Sequence, residues 1–288
     1  MAAFDEPRAA RALLAVAALT GDAAVLAALA RHEPVDAVTH LSDQDQPGSW
    51  CQLRLHGSSD QPLRAYAEAA GRQAAHASAR LIIPGDEEWP PAVPDLATAG
   101  GRHWPGGVLC LWVRGDPPLS TVLDRAVAVV GSRAATAYGT HIATQLGYDL
   151  ATAGWTTIST GSYGVDGSVL RGALTGGGTV VAVLPAGVDR PYPVGHASLL
   201  DRVGSSGLLV SPWPPGTAPT RTQFAATSQL VGTLARGTVL VEATTRSSSL
   251  RALDQALALG RPAMAVPGPV TSSMSTGSPV GLELFHRV

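Results

Sequence analysis

Two short runs that read as buried strands, one helix-length apart, constrain this chain more than anything else in it. Ala126-Val127-Ala128-Val129-Val130 stops at Gly131-Ser132-Arg133, and Trp155-Thr156-Thr157-Ile158-Ser159 stops at Thr160-Gly161-Ser162-Tyr163-Gly164-Val165-Asp166. A buried strand that ends in a Gly/Ser loop and then opens a helix is the building unit of a parallel α/β sheet. Such loops bring backbone N–H groups and helix N-termini to one edge of the sheet, a ready anion site. A polyanion or nucleotide ligand is therefore expected there.

The alternation extends well beyond these two units. Strands are expected at 81–86 (running into a turn), 108–113, 126–130, 155–159, 179–184, 207–210, 238–242 and 263–266. Helices are expected at about 138–153, 164–175, 195–204, 222–235 and 248–259. Ile142, Leu146 and Leu150 fall on one face of the first, enough to cover a sheet. The fold class is α/β, a mainly parallel sheet with helices on both faces. Ahead of it, residues 7–31 suggest two Ala/Leu helices hinged at Thr20-Gly21-Asp22, with Leu13, Leu14, Val16 and Leu19 toward a partner surface. Residues 40–60 are turn-rich and read as a loop, and Pro62 opens a helix to Ala79. This divides the chain into a small helical module, 1–79, and an α/β domain, 80–288.

Net charge is −2, so no general basic coat is available for nucleic acid, and any such contact has to be a local patch. All twenty cations are Arg, and the chain has neither Lys nor Asn, as a GC-rich coding bias would produce. Cys51 and Cys110 lie far apart without a Cys-x-x-Cys, which argues against a disulfide framework or a zinc site. The eight His residues are scattered, and His141 and His196 read as surface or helix residues. The apolar N-terminus is interrupted by charge too often for a membrane span or signal peptide. A cytoplasmic protein without metal or cofactor is the expectation.

Four strand-to-helix loops hold the candidate site residues. In the first, Gly131 permits close backbone approach, Ser132 offers a hydroxyl and Arg133 a phosphate fork. The alternative is an ordinary turn with a solvated Arg, since neither a Gly-x-Gly-x-x-Gly turn nor a Walker lysine is present. In the second, Gly161, Ser162 and Gly164 form the turn, and Asp166 is expected to cap the helix that follows. The third, Pro214 to Phe224, presents Arg221, Gln223 and Phe224, the ring serving either a base or the start of the helix. The fourth, Glu242 to Leu250, is rich in hydroxyls, with Ser247 and Ser248 as candidates. No Ser/His/Asp set, metal cluster or nucleophile elbow emerges, and the sequence does not bring Glu242 and Asp166 together. That favours binding over turnover.

These residues acquire a family when read in order. Ile83-Pro84-Gly85-Asp86, Trp112-Val113-Arg114-Gly115-Asp116, Val127 to Arg133, Arg171-Gly172-Ala173-Leu174, Val183 to Pro193, Pro214-Pro215-Gly216-Thr217, Val241-Glu242-Ala243, Ser248, Leu250 and Ala265-Val266-Pro267-Gly268 resemble the DNA-processing protein A (DprA, or Smf) family over roughly residues 81–285. The resemblance implies an extended Rossmann-like domain that binds single-stranded DNA without catalysis, forms a homodimer and helps load a RecA-type recombinase. It implies a phosphate pocket at Gly131, Ser132 and Arg133 with Gly161 and Gly164, an aromatic near a base at Phe224, and a basic position at Arg221. The N-terminal helices look like the family's small helical module, without its usual Gly-rich hairpin at Thr20-Gly21-Asp22. Tyr163 stands where the family commonly has Arg, and Ala225, Ala226, Thr227 and Ser228 where it commonly has Pro-Arg-Arg-Asn. Gln229 replaces a further common Arg, and fewer cations should weaken phosphate binding and flatten its salt dependence.

Two other readings remain open. One is a nucleotide-handling relative of the Lonely-guy phosphoribohydrolase type, although Ala235-Arg236-Gly237-Thr238 to Glu242 lacks that group's glycine run. The other is a mobile-element or defence-linked homologue that senses a small nucleotide or acts as a scaffold.

Overall fold

Alanine dominates the N-terminal helices, and it lets them pack closely. In the computed structural model, which describes residues 5–42, 62–93, 104 and 107–268, helix α1 spans Glu6–Thr20. Asp5 caps it by accepting from Arg8 N, and Gly21, at φ +77°, ends it in the left-handed conformation glycine tolerates. Asp22 then caps α2 (Ala23–Leu29), and α3 (Pro34–Ser42) and α4 (Pro62–His76) follow. The segment read as a loop from residue 40 is thus still helical to Ser42, because Val35, Val38 and Leu41 repeat at helical spacing. The remainder of that loop, 43–60, lies outside the described residues, as do the side chains of Val16 and Leu19.

Leu13 and Leu14 face a small core shared with Val25, Val38 and Leu41. Ala12, Ala15, Ala70, Ala74 and Ala77 turn the other way and pack with Trp112 against the sheet. An ion pair from Arg8 to Asp86, 2.5 Å, ties the same surfaces together.

Among the described residues, eight strands form one sheet in the order β1-β2-β6-β5-β4-β3-β7-β8. β1 (Ala79–Ile82) and β2 (Leu111–Arg114) are antiparallel at one edge. β3 (Ala126–Gly131), β4 (Thr156–Ser159), β5 (Val180–Val183), β6 (Leu208–Ser211), β7 (Gly237–Val241) and β8 (Ala263–Ala265) run parallel. Side chains alternate between the faces, as the two-residue period of a strand requires. Ala128, Val130, Val181 and Leu240 face one core, and Val129, Ala182 and Val241 the other. Helices α5 (Leu119–Leu123), α9 (Arg221–Leu234) and α10 (Leu250–Ala258) cover the first face. Helices α6 (Ala137–Thr152), α7 (Val165–Thr175) and α8 (Ala197–Ser206) cover the second.

On α6, Ile142, Leu146 and Leu150 do pack on the core, but only partly buried. Its buried face is Gly139, Ala143 and Gly147. A Cβ on Gly147 would lie 2.1 Å from Val169 O, and one on Gly172 2.0 Å from Thr144 O, so α6 and α7 meet backbone to backbone.

The chain leaves β3 through β4, β5 and β6, then returns to the far side of β3 as β7. The helices after β3 and β7 consequently leave toward opposite faces of the sheet. A crevice opens at the carboxyl ends of these two strands, the usual ligand position in open α/β sheets.

Candidate functional site

Gly131, at the end of β3, has no space for a side chain: a Cβ would sit 1.9 Å from Val241 O and 2.7 Å from Val165 Cγ2. Its N–H donates to the Asp166 carboxylate at 3.2 Å, and Ser132 N donates to Glu242 O at 2.8 Å. Two of the amides that a phosphate would use are therefore satisfied internally.

The N-terminus of α6 is treated the same way. Thr136 caps the helix and gives its N–H and its hydroxyl to Glu242. Glu242 is buried and holds φ +50°, an unusual conformation for a residue with a side chain. The carboxylate lies where the helix dipole favours negative charge. In a dinucleotide-binding sheet, that place belongs to the pyrophosphate.

Asp166 does not cap α7, contrary to the sequence expectation. The N-cap is Gly164 at φ +74°, and Asp166 sits one turn position inside the helix. Its buried carboxylate instead accepts from Gly131 N and the Thr160 hydroxyl, joining the ends of β3 and β4. Burial pushes its pKa up to about 6, against the pull of those hydrogen bonds and of Arg133. Glu242 and Asp166 thus serve different partners, both around the Gly131 turn. Gly164 has its own steric demand, since a Cβ would fall 2.2 Å from Ser132 O. The first and second loops lie directly on one another.

Arg133 is exposed, and its guanidinium carbon lies 4.7 Å from the centre of the Phe224 ring. Phe224 in turn packs against Tyr192, with ring centroids 5.4 Å apart and planes at 60°. Gly131, Arg133, Ser162, Phe224, Thr227 and Ser248 line a narrow cleft, with Asp166 at its floor. Of the residues singled out from sequence, the structure brings these together: Gly131, Arg133, Ser162, Phe224 and Ser248.

Others stand apart from the lining. Ser132 is buried, and its hydroxyl accepts from Ala134 N at 3.1 Å. Gly161, at φ +72°, offers its carbonyl to His196 Nδ1 at 3.0 Å. Gln223 closes a capping box by accepting from Thr220 N at 2.5 Å. Ser247 accepts from Ser249 N at 3.3 Å. Arg221, the first residue of α9, is exposed and does not line the cleft.

His196, read from sequence as a surface or helix residue, is buried; His141 is exposed on α6. His196 meets Tyr163 edge to face, with ring centroids 4.7 Å apart. Sequence reasoning also missed Tyr192, Thr227, Ser228 and Ser249. Only Tyr192 carried a signal, through its place in the Val183 to Pro193 stretch. Ala226, Thr227 and Ser228 are buried, where an Arg would be desolvated, and both hydroxyls bond back to the preceding turn, at Gln223 O and Phe224 O.

Fold and site define a Rossmann-like α/β protein with a cation–aromatic cleft at its switch point, and no three His, Cys, Asp or Glu side chains gather as a metal site among the described residues. The family model for DNA recombination-mediator protein A matches residues 80–282, and the chain belongs to that family. A Mycobacterium tuberculosis protein provisionally named DNA processing protein DprA is 48% identical over 215 residues, 72% of this chain and 55% of that protein. Protein Smf of Escherichia coli is 35% identical over 198 residues, 68% of this chain and 50% of Smf. The chain spans about half the length of the curated relatives it matches.

DNA processing protein A from Streptococcus pneumoniae shares the fold, with a TM-score of 0.68 at 21% identity, covering 98% of this chain and 93% of that one. The Helicobacter pylori protein, described for its unique single-stranded DNA binding mode, gives 0.62 at 23% identity, covering 73% of this chain and 90% of that one.

Proposed function

We propose that this chain binds single-stranded DNA in the β3–β7 crevice and does no chemistry on it. The Arg133–Phe224 stack carries the reading. It places a guanidinium fork and an aromatic face within 4.7 Å of each other in one cleft. A strand with unpaired bases offers a phosphate and a ring side by side, whereas a duplex keeps its rings stacked inside. The hydroxyls of Ser162 and Ser248 add polar partners along the same lining. Gly131, Ser132, Gly161 and Gly164 shape the turns behind the cleft, whereas Gln223, Ser247 and Arg221 stand outside its lining.

Membership in a recombination-mediator family and the printed description of the H. pylori relative support this assignment. Glu242, seated at the start of α6, weighs against the nucleotide-hydrolysing and nucleotide-sensing alternatives, because it occupies a nucleotide's phosphate position. The same proposal includes a homodimer, hand-over of the strand to a RecA-type recombinase, and a cytoplasmic setting. Those three rest on the family resemblance. Among the described residues, no helix is long and apolar enough to cross a membrane.

The test is a mobility shift at low salt with oligo-dT and with duplex of the same length. The single strand should shift and the duplex should not, and Arg133→Ala should weaken the shift. Absence of any shift with the unaltered protein overturns the reading.

A further inference from the structure

Tyr163, next in the chain to the cleft residue Ser162, meets His196 and has no part in the Arg133–Phe224 stack. Tyr163 is 48% exposed, a costly position for a large ring. Its chain neighbours fix where it stands. Ser162 lines the cleft, and Gly164 is pressed against the backbone of Ser132 and Arg133. Consecutive Cα atoms are about 3.8 Å apart, so the backbone of Tyr163 stands beside the cleft lining.

The ring is also held from behind. Its centroid is 4.7 Å from that of His196, with planes at 70°, and His196 is itself buried and bonded to Gly161 O. The tyrosine hydroxyl rests over Gly195, where a Cβ would come within 2.4 Å of it. Imidazole and bare backbone together fix a ring that still presents nearly half its surface to water.

We propose that Tyr163 is a stacking platform for an unpaired nucleobase, a second aromatic station beside the one at Phe224. The inference rests on the single-stranded DNA reading and adds to it how the strand is gripped. A guanidinium holds phosphate by displacing counterions, so its contribution fades with salt. A ring holds a base through its π face, tolerates any sequence and releases no counterions. With a ring and not a cation at this position, part of the affinity rests on the bases. The cleft needs bases to be present, and it holds its strand at salt concentrations that loosen a purely ionic site.

Three proteins and two ligands test this: the unaltered chain, Tyr163→Ala and Tyr163→Phe, each with oligo-dT and with an equally long abasic strand. Tyr163→Ala should weaken oligo-dT binding roughly five- to hundredfold, the span that loss of one stacked base produces. It should leave abasic-strand binding and the salt slope unchanged, while Tyr163→Phe should bind both strands as the parent does. A 2-aminopurine placed at successive positions should show one site whose quenching disappears in Tyr163→Ala and persists in Tyr163→Phe. Tyr163→Arg should steepen the salt slope by about 0.7, one added phosphate contact on a single strand. Equal losses on both strands would make Tyr163 a mere support for its loop, and no loss on either would also overturn the proposal. If Arg133→Ala binds more weakly while Tyr163→Ala binds like the parent, only the platform falls. If the parent binds no strand, the whole single-strand reading falls with it.

Discussion

Thr136 donates to Glu242 twice, from its backbone N–H at 2.9 Å and from its hydroxyl at 2.5 Å, across 106 residues of sequence. The end of β7 thereby satisfies the start of α6, and a carboxylate supplies the negative charge that the helix dipole favours. Removing it by Glu242→Ala leaves a half-buried N–H and a hydroxyl without their acceptor. The expected cost is about 2–3 kcal/mol. In a domain of this size that lowers the unfolding midpoint by about 4–10 °C, read by thermal denaturation. A midpoint within a degree or so of the parent would show that the contact contributes nothing net.

Arg133 and Phe224 touch each other, yet their losses should look different. Arg133→Ala should reduce the salt slope of oligo-dT binding by about 0.7 and act alike on every sequence. Phe224→Ala should leave that slope unchanged and cost about 1–3 kcal/mol on strands that carry bases. Anisotropy titrations over a salt series separate the two. Identical slopes in all three proteins would remove Arg133 from the phosphate contact.

Asp166 makes binding and stability depend on pH. Burial raises its folded pKa to about 6, above the usual aspartate range. Between about pH 4 and pH 6 the folded chain keeps a proton that the unfolded chain releases. The stability it contributes is therefore fully present below that window, falls as pH rises through it and is level above. Asp166→Asn should flatten this part of the curve. The carboxylate also opposes phosphate beside Arg133, so oligo-dT affinity should rise as pH drops through about 6. Asp166→Asn should lack that rise and bind more tightly than the parent near neutrality. A rise of equal size in both proteins would remove Asp166 from the effect.

Gly172 faces Thr144 with only backbone between the helices, and a Cβ there would lie 2.0 Å from Thr144 O. Gly172→Ala should force α6 and α7 apart at a cost of about 1–3 kcal/mol or more. Exposed Gly177, at φ +71° with open space around it, makes the control: alanine there meets conformational strain but no clash. Chemical denaturation of both variants should rank Gly172→Ala as clearly worse.

Strand positions were legible because strands buried on both faces read as continuous apolar runs. Most observed boundaries, such as Ala126–Gly131 and Val180–Val183, lie within a residue or two of the sequence expectation. The α6–α7 packing was harder to see, because periodicity marks large apolar residues and the contact is made by Gly147 and Gly172. Helix α3 escaped because polar neighbours mask its short apolar repeat. In the site, Arg133 and Phe224 could be named from their loops, since strand ends in a parallel sheet share one edge. What a side chain does there depends on long-range neighbours. Asp166 has the right type and place for a cap, yet Gly131 N, 35 residues away, takes its oxygen. Buried His196 was hidden for the same reason, because its partners Gly161 and Tyr163 come from a different loop.

The alanine face of α1 and α4 is continuous with the sheet side that holds Trp112. A chain cut just ahead of Ala79 would present that indole and its neighbours to water, inviting self-association in place of a clean α/β fragment. The helical segment thus serves as a fitted lid on one side of the sheet, and attempts to isolate the cleft-bearing part should keep it attached.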